Sequence, residues 1–220
     1  MGFGLSCLVA LLVHASPPVR LPVPPGPGYA VGPVVTTTDG PLVYSHTTDA
    51  GPDESFVLVG ERLTRDVVAW GPHAMSPRGR DHVARVQLLD EANGVLVATL
   101  PQEAADGPFV VRVRDGSASS APVVLNAPEP WWCLPDVVGP GSTVRIFGRN
   151  LARRPHFATA RVWLAGGGGR WLEPVRTSKY ELEVLIPPDA QPGACRLWVH
   201  AGQGGEYGWG PGLPLTVERP

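Results

Sequence analysis

The sequence is poor in several residue types, and each shortage argues against a class of protein. Lys179 is the only lysine among 220 residues and the formal net charge is −2, so the chain lacks the concentrated basic patch that binds nucleic acid. Its three cysteines form no CxxC pair or Cys/His cluster with zinc spacing, and nothing in the sequence indicates a metal or a cofactor. No apolar run reaches the ~20 residues of a transmembrane helix.

Glycine and proline, by contrast, are abundant and separate short apolar runs. The 27 glycines and 26 prolines favour an all-β protein with many turns and little helix. Asn93-Gly94 predicts a hairpin, and Gly166 to Gly169 predicts a hairpin tip rather than a nucleotide-binding loop. The predicted strands are Leu42–Ser45, Ser55–Val59, Val67–Trp70, Arg85–Leu89, Val95–Leu100, Phe109–Val113, Val123–Asn126, Trp131–Leu134, Thr143–Phe147, Ala160–Leu164, Arg170–Glu173, Glu181–Ile186, Cys195–His200 and Leu213–Glu218.

The N-terminal part of the chain predicts export followed by a spacer. Leu5 to Val13 is an apolar run of signal-peptide length, and Val13-His14-Ala15 supplies a small-residue cleavage site, which predicts a signal peptide over residues 1–15. The alternatives are a mispredicted start codon and a hydrophobic tail without a role, since no Lys or Arg precedes Arg20. Residues 16–40 are rich in proline and glycine and predict a linker. We therefore expect a secreted or cell-surface protein.

Beyond the linker the sequence repeats itself, which predicts two modules of one fold. Gly60 and Leu63 correspond to Gly148 and Leu151 at an offset of 88 (148 − 60 and 151 − 63). A second set of anchors follows in each half at an offset of 86 (186 − 100 and 193 − 107): Leu100-Pro101 and Gly107, then Ile186-Pro187 and Gly193. The number and spacing of strands favour two β-sandwiches, over residues 41–127 and 128–220.

The stretch from Gly141 to Leu151 carries a family resemblance. It reads Gly-Ser-Thr-Val-Arg-Ile-Phe-Gly-Arg-Asn-Leu and resembles the IPT/TIG group of immunoglobulin-like domains, in which a strand ends in Gly-x-Asn-Leu/Phe. The first module departs from this pattern, because Arg62 replaces the asparagine. The resemblance covers residues 41–220 and implies two tandem immunoglobulin-like sandwiches. It implies no single activity, since such domains occur in receptors, transcription factors and polysaccharide-degrading enzymes.

A narrower resemblance lies between Leu197 and Trp209. This segment is similar to one that precedes pectate-lyase-like right-handed β-helix domains in secreted bacterial proteins, with the pattern Trp-Val-His-x-Gly-x-Gly-Gly-x-x-Gly-Trp. There the segment closes an immunoglobulin-like module and a catalytic β-helix follows. The resemblance implies an accessory region whose catalytic residues lie elsewhere, or a stand-alone relative of that region.

No recognisable catalytic arrangement appears in the sequence. Glycoside hydrolysis needs two carboxylates across a cleft, whereas the acidic residues within 49–54 and 90–91 have the pattern of turns. Six histidines occur without a Gly-x-Ser-x-Gly nucleophile elbow. For His200, at a strand end before a glycine-rich loop, the alternatives are bracing that loop and catalysis. We expect a chain that is not an enzyme.

Tryptophan is concentrated in the second module, which holds six of the seven. Aromatic faces stack on sugar rings, so these residues suggest glycan contact; contact with a following domain and core packing are the alternatives. Strand alternation puts Trp198 opposite Leu197 and Val199, and it faces outward if those two fill the core. The candidate contact residues are Trp163, Trp171, Trp198, His200, Tyr207 and Trp209.

Two cysteines, Cys133 and Cys195, remain once a signal peptide is removed. In an exported protein they permit one disulfide. Two free thiols within the fold are the alternative, because free cysteine is a common buried residue.

Two functions are expected from these observations. The first is a non-catalytic accessory or spacer region of a secreted polysaccharide-degrading protein, with an adjacent β-helix catalytic domain as its partner. The second is a stand-alone extracellular module for carbohydrate binding or cell-surface adhesion, with a polysaccharide as its partner. Neither expectation includes a nucleic-acid partner or a membrane span.

Overall fold

A computed structural model describes residues 40–71, 81–104, 106–153 and 159–219. The predicted signal peptide, the linker up to residue 39 and residues 72–80 lie outside the described residues. Within those residues the regular secondary structure consists of strands, apart from one short 3₁₀ helix at Gly205–Gly208. The prediction of an all-β fold is confirmed.

The first half of the chain forms two antiparallel sheets. Its strands are β1 (Leu42–His46), β2 (Ser55–Glu61), β3 (Asp66–Trp70), β4 (Asp81–Val83), β5 (Arg85–Asp90), β6 (Val95–Thr99), β7 (Phe109–Asp115), β8 (Ala118–Ser119) and β9 (Val123–Leu125). One sheet has the order β1-β2-β6-β5, and the other has the order β4-β3-β7-β8 with β9 also paired to β7. The Asn93-Gly94 turn joins β5 to β6, with Gly94 at a φ of 63°.

The second half repeats this plan. Its strands are β10 (Glu129–Leu134), β11 (Val137–Val138), β12 (Thr143–Arg149), β13 (Arg161–Ala165), β14 (Arg170–Leu172), β15 (Arg176–Thr177), β16 (Glu181–Leu185), β17 (Gly193–His200) and β18 (Leu213–Val217). The sheets have the orders β10-β12-β16-β15 and β11-β18-β17-β13-β14. All pairings are antiparallel except that of β11 with β18. The four glycines from Gly166 form the turn between β13 and β14, as predicted.

The strand orders identify the type of sandwich. Labelled A to G, an immunoglobulin-like domain has the strands A-B-E-D in one sheet and C-F-G in the other. In the first half β1-β2-β6-β5 corresponds to A-B-E-D, and β3-β7-β9 corresponds to C-F-G. In the second half β10-β12-β16-β15 and β13-β17-β18 correspond in the same way. Both halves therefore have immunoglobulin-like topology.

Each half encloses its own apolar core between its two sheets. In the first half Phe56 on β2 and Phe109 on β7 are fully buried in one cluster. In the second half Ile146, Leu182 and Leu197 are buried together from three strands of two different sheets. Each such side chain contributes about 1.5–3 kcal/mol by leaving water, so alternating apolar residues are sufficient to set the inward face of each strand.

The repeated glycines have equivalent structural roles. Gly60 on β2 and Gly148 on β12 face the strand that pairs with them so closely that an added Cβ would lie 1.8 Å and 2.3 Å from its nearest carbonyl oxygen. Two residues later Arg62 and Asn150 both adopt left-handed backbone conformations, with φ of 52° and 56°. Asparagine adopts the left-handed conformation at a lower energetic cost than arginine does. The first module therefore adopts the same backbone conformation at a higher cost, at Arg62.

All fourteen predicted strands are present, with ends shifted by one or two residues. Four further strands were not predicted: β4, β8, β11 and β15, each only two or three residues long. Strands this short show no alternation, and they form because a neighbouring strand leaves backbone groups to pair.

An ionic cluster around Arg153 joins the two halves. Arg153 belongs to the second half and its side chain is only 8% exposed. Its Nε lies 2.7 Å from a carboxylate oxygen of Asp106, and its Nη1 contacts Asp49 and the Asn150 side-chain oxygen. Lys179 also reaches Asp49, at 3.0 Å. Burial would raise the pKa of Asp49, but the hydrogen bonds from Lys179 and Arg153 outweigh it and hold that pKa below its ordinary value.

Candidate functional site

Three of the predicted contact residues form a row on the outer face of the sheet containing β13, β14 and β17. Trp163 lies directly opposite Trp171 on one neighbouring strand and Trp198 on the other. The Trp163 and Trp171 rings meet edge to face with centroids 5.2 Å apart. Leu197 and Val199 point into the core, so Trp198 faces away from it, as the alternation predicts.

Part of the row is nevertheless covered, because the segment between β17 and β18 folds over Trp198 and stacks on Trp171. Trp209 stacks on Trp171 with ring centroids 5.4 Å apart, and Gly212 lies against Trp198 so closely that a Cβ there would come within 2.7 Å of the ring. Trp198 and Trp209 are each only 7% exposed, whereas Trp163 is partly exposed. An outward-facing position on the sheet has not made Trp198 accessible to a glycan.

His200 sits beneath this segment and is completely buried. Its Nδ1 accepts the Gly202 backbone N–H at 3.0 Å, and its Nε2 lies 2.9 Å from the Gly205 carbonyl oxygen. This pair of contacts requires a neutral ring with its proton on Nε2. Burial lowers the pKa of His200, with the Gly205 hydrogen bond opposing the shift. The geometry is that of a loop brace, the first of the two roles considered from the sequence.

Tyr207 lies outside the tryptophan cluster and contacts the first half of the chain. Its ring meets Trp70 edge to face, with centroids 6.4 Å apart. Burial raises the pKa of Tyr207, with Glu206 adding to the shift and Arg112 opposing it. Tyr207 borders a solvent-open cavity of about 510 Å³, the inter-module cavity, whose wall includes Val68, Trp70, Val110, Arg112, Arg114 and Tyr207.

A different pair of tryptophans is open to solvent. Trp131 and Trp132 on β10 are 49% and 50% exposed. The register of β10 on β12 shifts between Pro130 and Trp132, so Trp131 is an extra residue in the strand and both rings lie outside the core. Trp132 is directly opposite Phe147, and the three rings of Trp131, Trp132 and Phe147 form a continuous stack, the aromatic ladder.

The ladder is ordered and has a charged end. Successive ring centroids are 5.7 Å and 5.9 Å apart, with planes inclined by 28° and 26°. The Arg145 guanidinium carbon lies 5.0 Å from the Phe147 ring centroid, and Arg145 Nε is 2.7 Å from a carboxylate oxygen of Glu181. The hydrogen bond from Arg145 lowers the pKa of Glu181. The ladder therefore combines flat apolar surface with hydrogen-bonding groups.

The candidate residues chosen from the sequence did not include the ladder. A signal was present, because adjacent residues of a regular strand face opposite sides, so Trp131 and Trp132 cannot both face away from the core without an irregularity in the strand. One of them has to enter the core or sit in a bulge. The candidate set favoured Trp198 and Trp163, whose alternation was regular.

The acidic clusters have structural partners. Glu54 accepts the Gly51 backbone N–H at 2.5 Å, and Asp53 has a left-handed backbone with φ of 59°. Asp90 binds both the backbone and the side-chain amide of Asn93, which lowers its pKa. These contacts agree with the interpretation of both acidic segments as turns.

The two cysteines are free thiols. Cys133 is buried in the second core, and its Sγ lies 3.5 Å from the Pro214 carbonyl oxygen. Cys195 is partly exposed on β17 and packs against the same core. Burial raises the pKa of both thiols. Of the two alternatives considered, the structure contains the free thiols and not the disulfide.

Neither a metal centre nor a spanning helix is found in the part of the chain that the structure describes. Within those ranges no three His, Cys, Asp or Glu side chains gather in a group that could hold a metal ion. No helix among the same residues is long and apolar enough to cross a membrane.

Comparison with known proteins gives no family. No protein-family model matches the chain, and a search of curated proteins finds no match to it. The resemblances to IPT/TIG domains and to the β-helix-associated segment therefore stay predictions.

Solved structures do match. They include the SGBP-B protein of a Bacteroides ovatus mixed-linkage glucan utilization locus in complex with a mixed-linkage heptasaccharide, with 14% identity and a TM-score of 0.33, covering 78% of this chain and 44% of that one. The extracellular region of plexin A4 matches with 11% identity and a TM-score of 0.34, covering 87% and 29%. The FN1-FN3 domains of chicken CNTN1 match with 12% identity and a TM-score of 0.26, covering 81% and 67%. This chain spans less than half the length of the first two, and at these scores its fold assignment rests on the strand pairing and cores described above.

Proposed function

We propose that this chain is a non-catalytic extracellular carbohydrate-binding module that contacts a polysaccharide through the aromatic ladder. The observation that carries the proposal is the exposure of Trp131 and Trp132, each about half open to solvent on one sheet face. Large aromatic side chains held together at a surface are costly to solvate, and contiguous apolar patches on soluble proteins commonly mark binding sites.

The ladder has the chemistry that a sugar chain requires. Pyranose rings present C–H faces, which pack on the indole surfaces, and hydroxyl groups around their rims, which need hydrogen-bonding partners. Arg145 and Glu181 supply a donor and an acceptor at one end of the ladder. An aromatic platform with a few placed polar groups is the general composition of a small-ligand site.

Rigidity further supports the proposal. Trp132 and Phe147 lie opposite each other on paired strands, and their rings are stacked. A tryptophan has only two side-chain torsions, so holding it in a stack before binding leaves little entropy to lose when a glycan arrives.

We also propose that the protein is exported, on the basis of the signal peptide predicted over residues 1–15. N-terminal sequencing of protein recovered outside the producing cells tests it. Cleavage after Ala15 supports export, and an intact N-terminus on protein retained in the cytoplasm contradicts it.

The glycan proposal is tested with a polysaccharide panel, followed by calorimetry on the best-bound oligosaccharide. We expect Trp132→Ala to weaken binding about tenfold, which corresponds to about 1.4 kcal/mol. Tyr44→Ala is the matched control, because Tyr44 is 59% exposed on β1 in the other module and lies outside the ladder. Equal affinities for the two variants would contradict the ladder as the binding surface. Turnover of any bound polysaccharide by the purified chain would contradict a non-catalytic role.

A second candidate is an accessory role beside a catalytic β-helix domain in a secreted polysaccharide-degrading protein. The resemblance of residues 197–209 favours it, as do the exposed aliphatic side chains of Leu134, Val137 and Leu185 on the second module. Reading the coding sequence beyond Pro220 tests this candidate. A continuing frame with short β-helix repeats supports the accessory role, whereas a stop codon followed by unrelated sequence favours the stand-alone module.

A further inference from the structure

The inter-module cavity lies apart from the aromatic ladder and has the size of a ligand site. It forms where the outer face of β3 and β7 in the first half meets Tyr207 from the segment between β17 and β18. Its volume of about 510 Å³ falls within the range of about 300–1,000 Å³ typical of small-molecule pockets.

The wall of this cavity contains an aromatic pair and two aliphatic side chains. Trp70 and Tyr207 meet edge to face, each partly exposed. Val68 and Val110, which are 8% and 6% exposed, complete the apolar surface. A flat, partly apolar unit such as a sugar ring therefore has both an aromatic surface and an aliphatic surface to contact.

Of the two arginines in the cavity wall, Arg114 is paired with a carboxylate of the described residues and Arg112 is not. Arg114 is committed to Asp66 through two hydrogen bonds of 3.1 and 3.0 Å. Arg112 lies opposite Val68 in the sheet, and no carboxylate of the described residues comes within 4.0 Å of its guanidinium nitrogens. Its neighbour is Tyr207, beside which the exposed Glu206 also lies. A guanidinium has a planar fork of donors that suits carboxylate and sulfate oxygens.

We infer that the inter-module cavity binds an anionic sugar unit of a polysaccharide. The sugar ring packs against the joined surface of Trp70 and Tyr207, and the anionic group accepts hydrogen bonds from Arg112. The inference rests on the proposed carbohydrate-binding function and narrows it to acidic glycans. A carboxylate and a sulfate ester are the two sources of the negative charge, and both satisfy the same guanidinium. Because the wall comes from both halves of the chain, the bound unit also holds the halves together.

Calorimetry on the full chain with three probes tests the inference. The probes are a hyaluronan octasaccharide, which carries carboxylates, the same octasaccharide with its carboxyl groups reduced to alcohols, and a sulfated carrageenan oligosaccharide. The variants are Arg112→Gln and, as a matched control, Arg85→Gln. Arg85 is an exposed arginine on the other sheet of the same module, so its removal changes the net charge equally. Circular dichroism checks that each variant is folded.

We expect Arg112→Gln to weaken binding of a charged probe at least tenfold and to leave the reduced probe within twofold, while Arg85→Gln changes neither. A response to the hyaluronan probe assigns a carboxylate, and a response to carrageenan assigns a sulfate. Equal effects of the two substitutions, or equal affinity of the native chain for charged and reduced probes, would overturn the inference.

Adding Trp132→Ala to the same experiment separates this inference from the proposed function. Binding that depends on Trp132 but not on Arg112 rejects the cavity and retains the ladder. Binding that depends on Arg112 but not on Trp132 rejects the ladder and retains the cavity. No measurable binding of any probe, together with an unresponsive polysaccharide panel, rejects both.

Discussion

Replacing Arg153 with methionine removes the centre of the ionic cluster that joins the two halves. The native side chain is 8% exposed and makes contacts with Asp106, Asp49 and Asn150. Methionine keeps most of the aliphatic stem, so the substitution removes mainly the charge and its hydrogen bonds. After the substitution two carboxylates lose their main partner, although Lys179 remains beside Asp49.

The size of the effect follows from burial. Removing one partner of a fully buried ion pair costs about 3–5 kcal/mol, because the other charge is left uncompensated. The side chains of Asp49 and Asp106 are 32% and 33% exposed, so water partly replaces the lost contacts. We therefore expect Arg153→Met to lower the free energy of unfolding by about 2–3 kcal/mol. Arg153→Lys keeps the charge but not the planar fork, and we expect an intermediate cost.

The assay is urea unfolding followed by tryptophan fluorescence at low and high salt. Arg114→Met is the control, since the Arg114–Asp66 pair is 45% and 49% exposed and such surface pairs are worth about 0–1 kcal/mol. The reasoning is refuted if the two variants lose the same stability. We also expect Arg153→Met to separate unfolding into two transitions if the cluster couples the halves.

Three further predictions concern the second half. Gly148→Ala puts a Cβ 2.3 Å from the Glu129 carbonyl oxygen, and we expect the free energy of unfolding in urea to fall by about 2–3 kcal/mol. Gly139→Ala serves as the control, because the nearest atom to its Cβ would be 3.9 Å away. Equal losses of stability in the two variants would contradict the close approach at Gly148. The pKa of His200 is lowered by burial in the fold, so its contribution to stability is present above the unfolded value of 6.5 and is lost as pH falls from there towards the folded pKa. The free energy of unfolding, measured with urea across this window, should depend less on pH in His200→Gln than in the native chain. The same pH dependence in both proteins would contradict this role of His200. Alkylation of unreduced, denatured protein should label both Cys133 and Cys195, and protection of both would indicate a disulfide.

Much of the fold could be predicted because β-sandwiches follow local rules. Alternation along β12 and β17 sets which side chains face the core, and the match between Gly60 and Gly148 reflects the same close strand contact in both halves. The short strand β11 was not predicted, because its two residues pair with β18 almost eighty positions later. No pattern within a few residues can indicate such a partner.

The candidate site was harder to predict than the fold. Alternation predicted the outward face of Trp198, whereas the strand pairing that puts Trp163, Trp171 and Trp198 side by side was not predicted. The accessibility of this row depended on another part of the chain. Trp209 and Gly212 come from the segment beyond β17. Trp209 stacks on Trp171 and Gly212 lies against Trp198, which no feature of the three strands themselves requires.

The sequence by itself therefore determined the strand pattern, the repeat and the side of the sheet on which Trp198 lies, because alternation and turn chemistry act over a few residues. Only the tertiary structure decided which aromatic residues meet solvent. A bulge in β10 leaves Trp131 and Trp132 exposed, while a folded-over segment buries Trp198. Exposure is the outcome of packing between segments distant in the chain, and that is also why Tyr207 and Trp70 meet across the inter-module cavity.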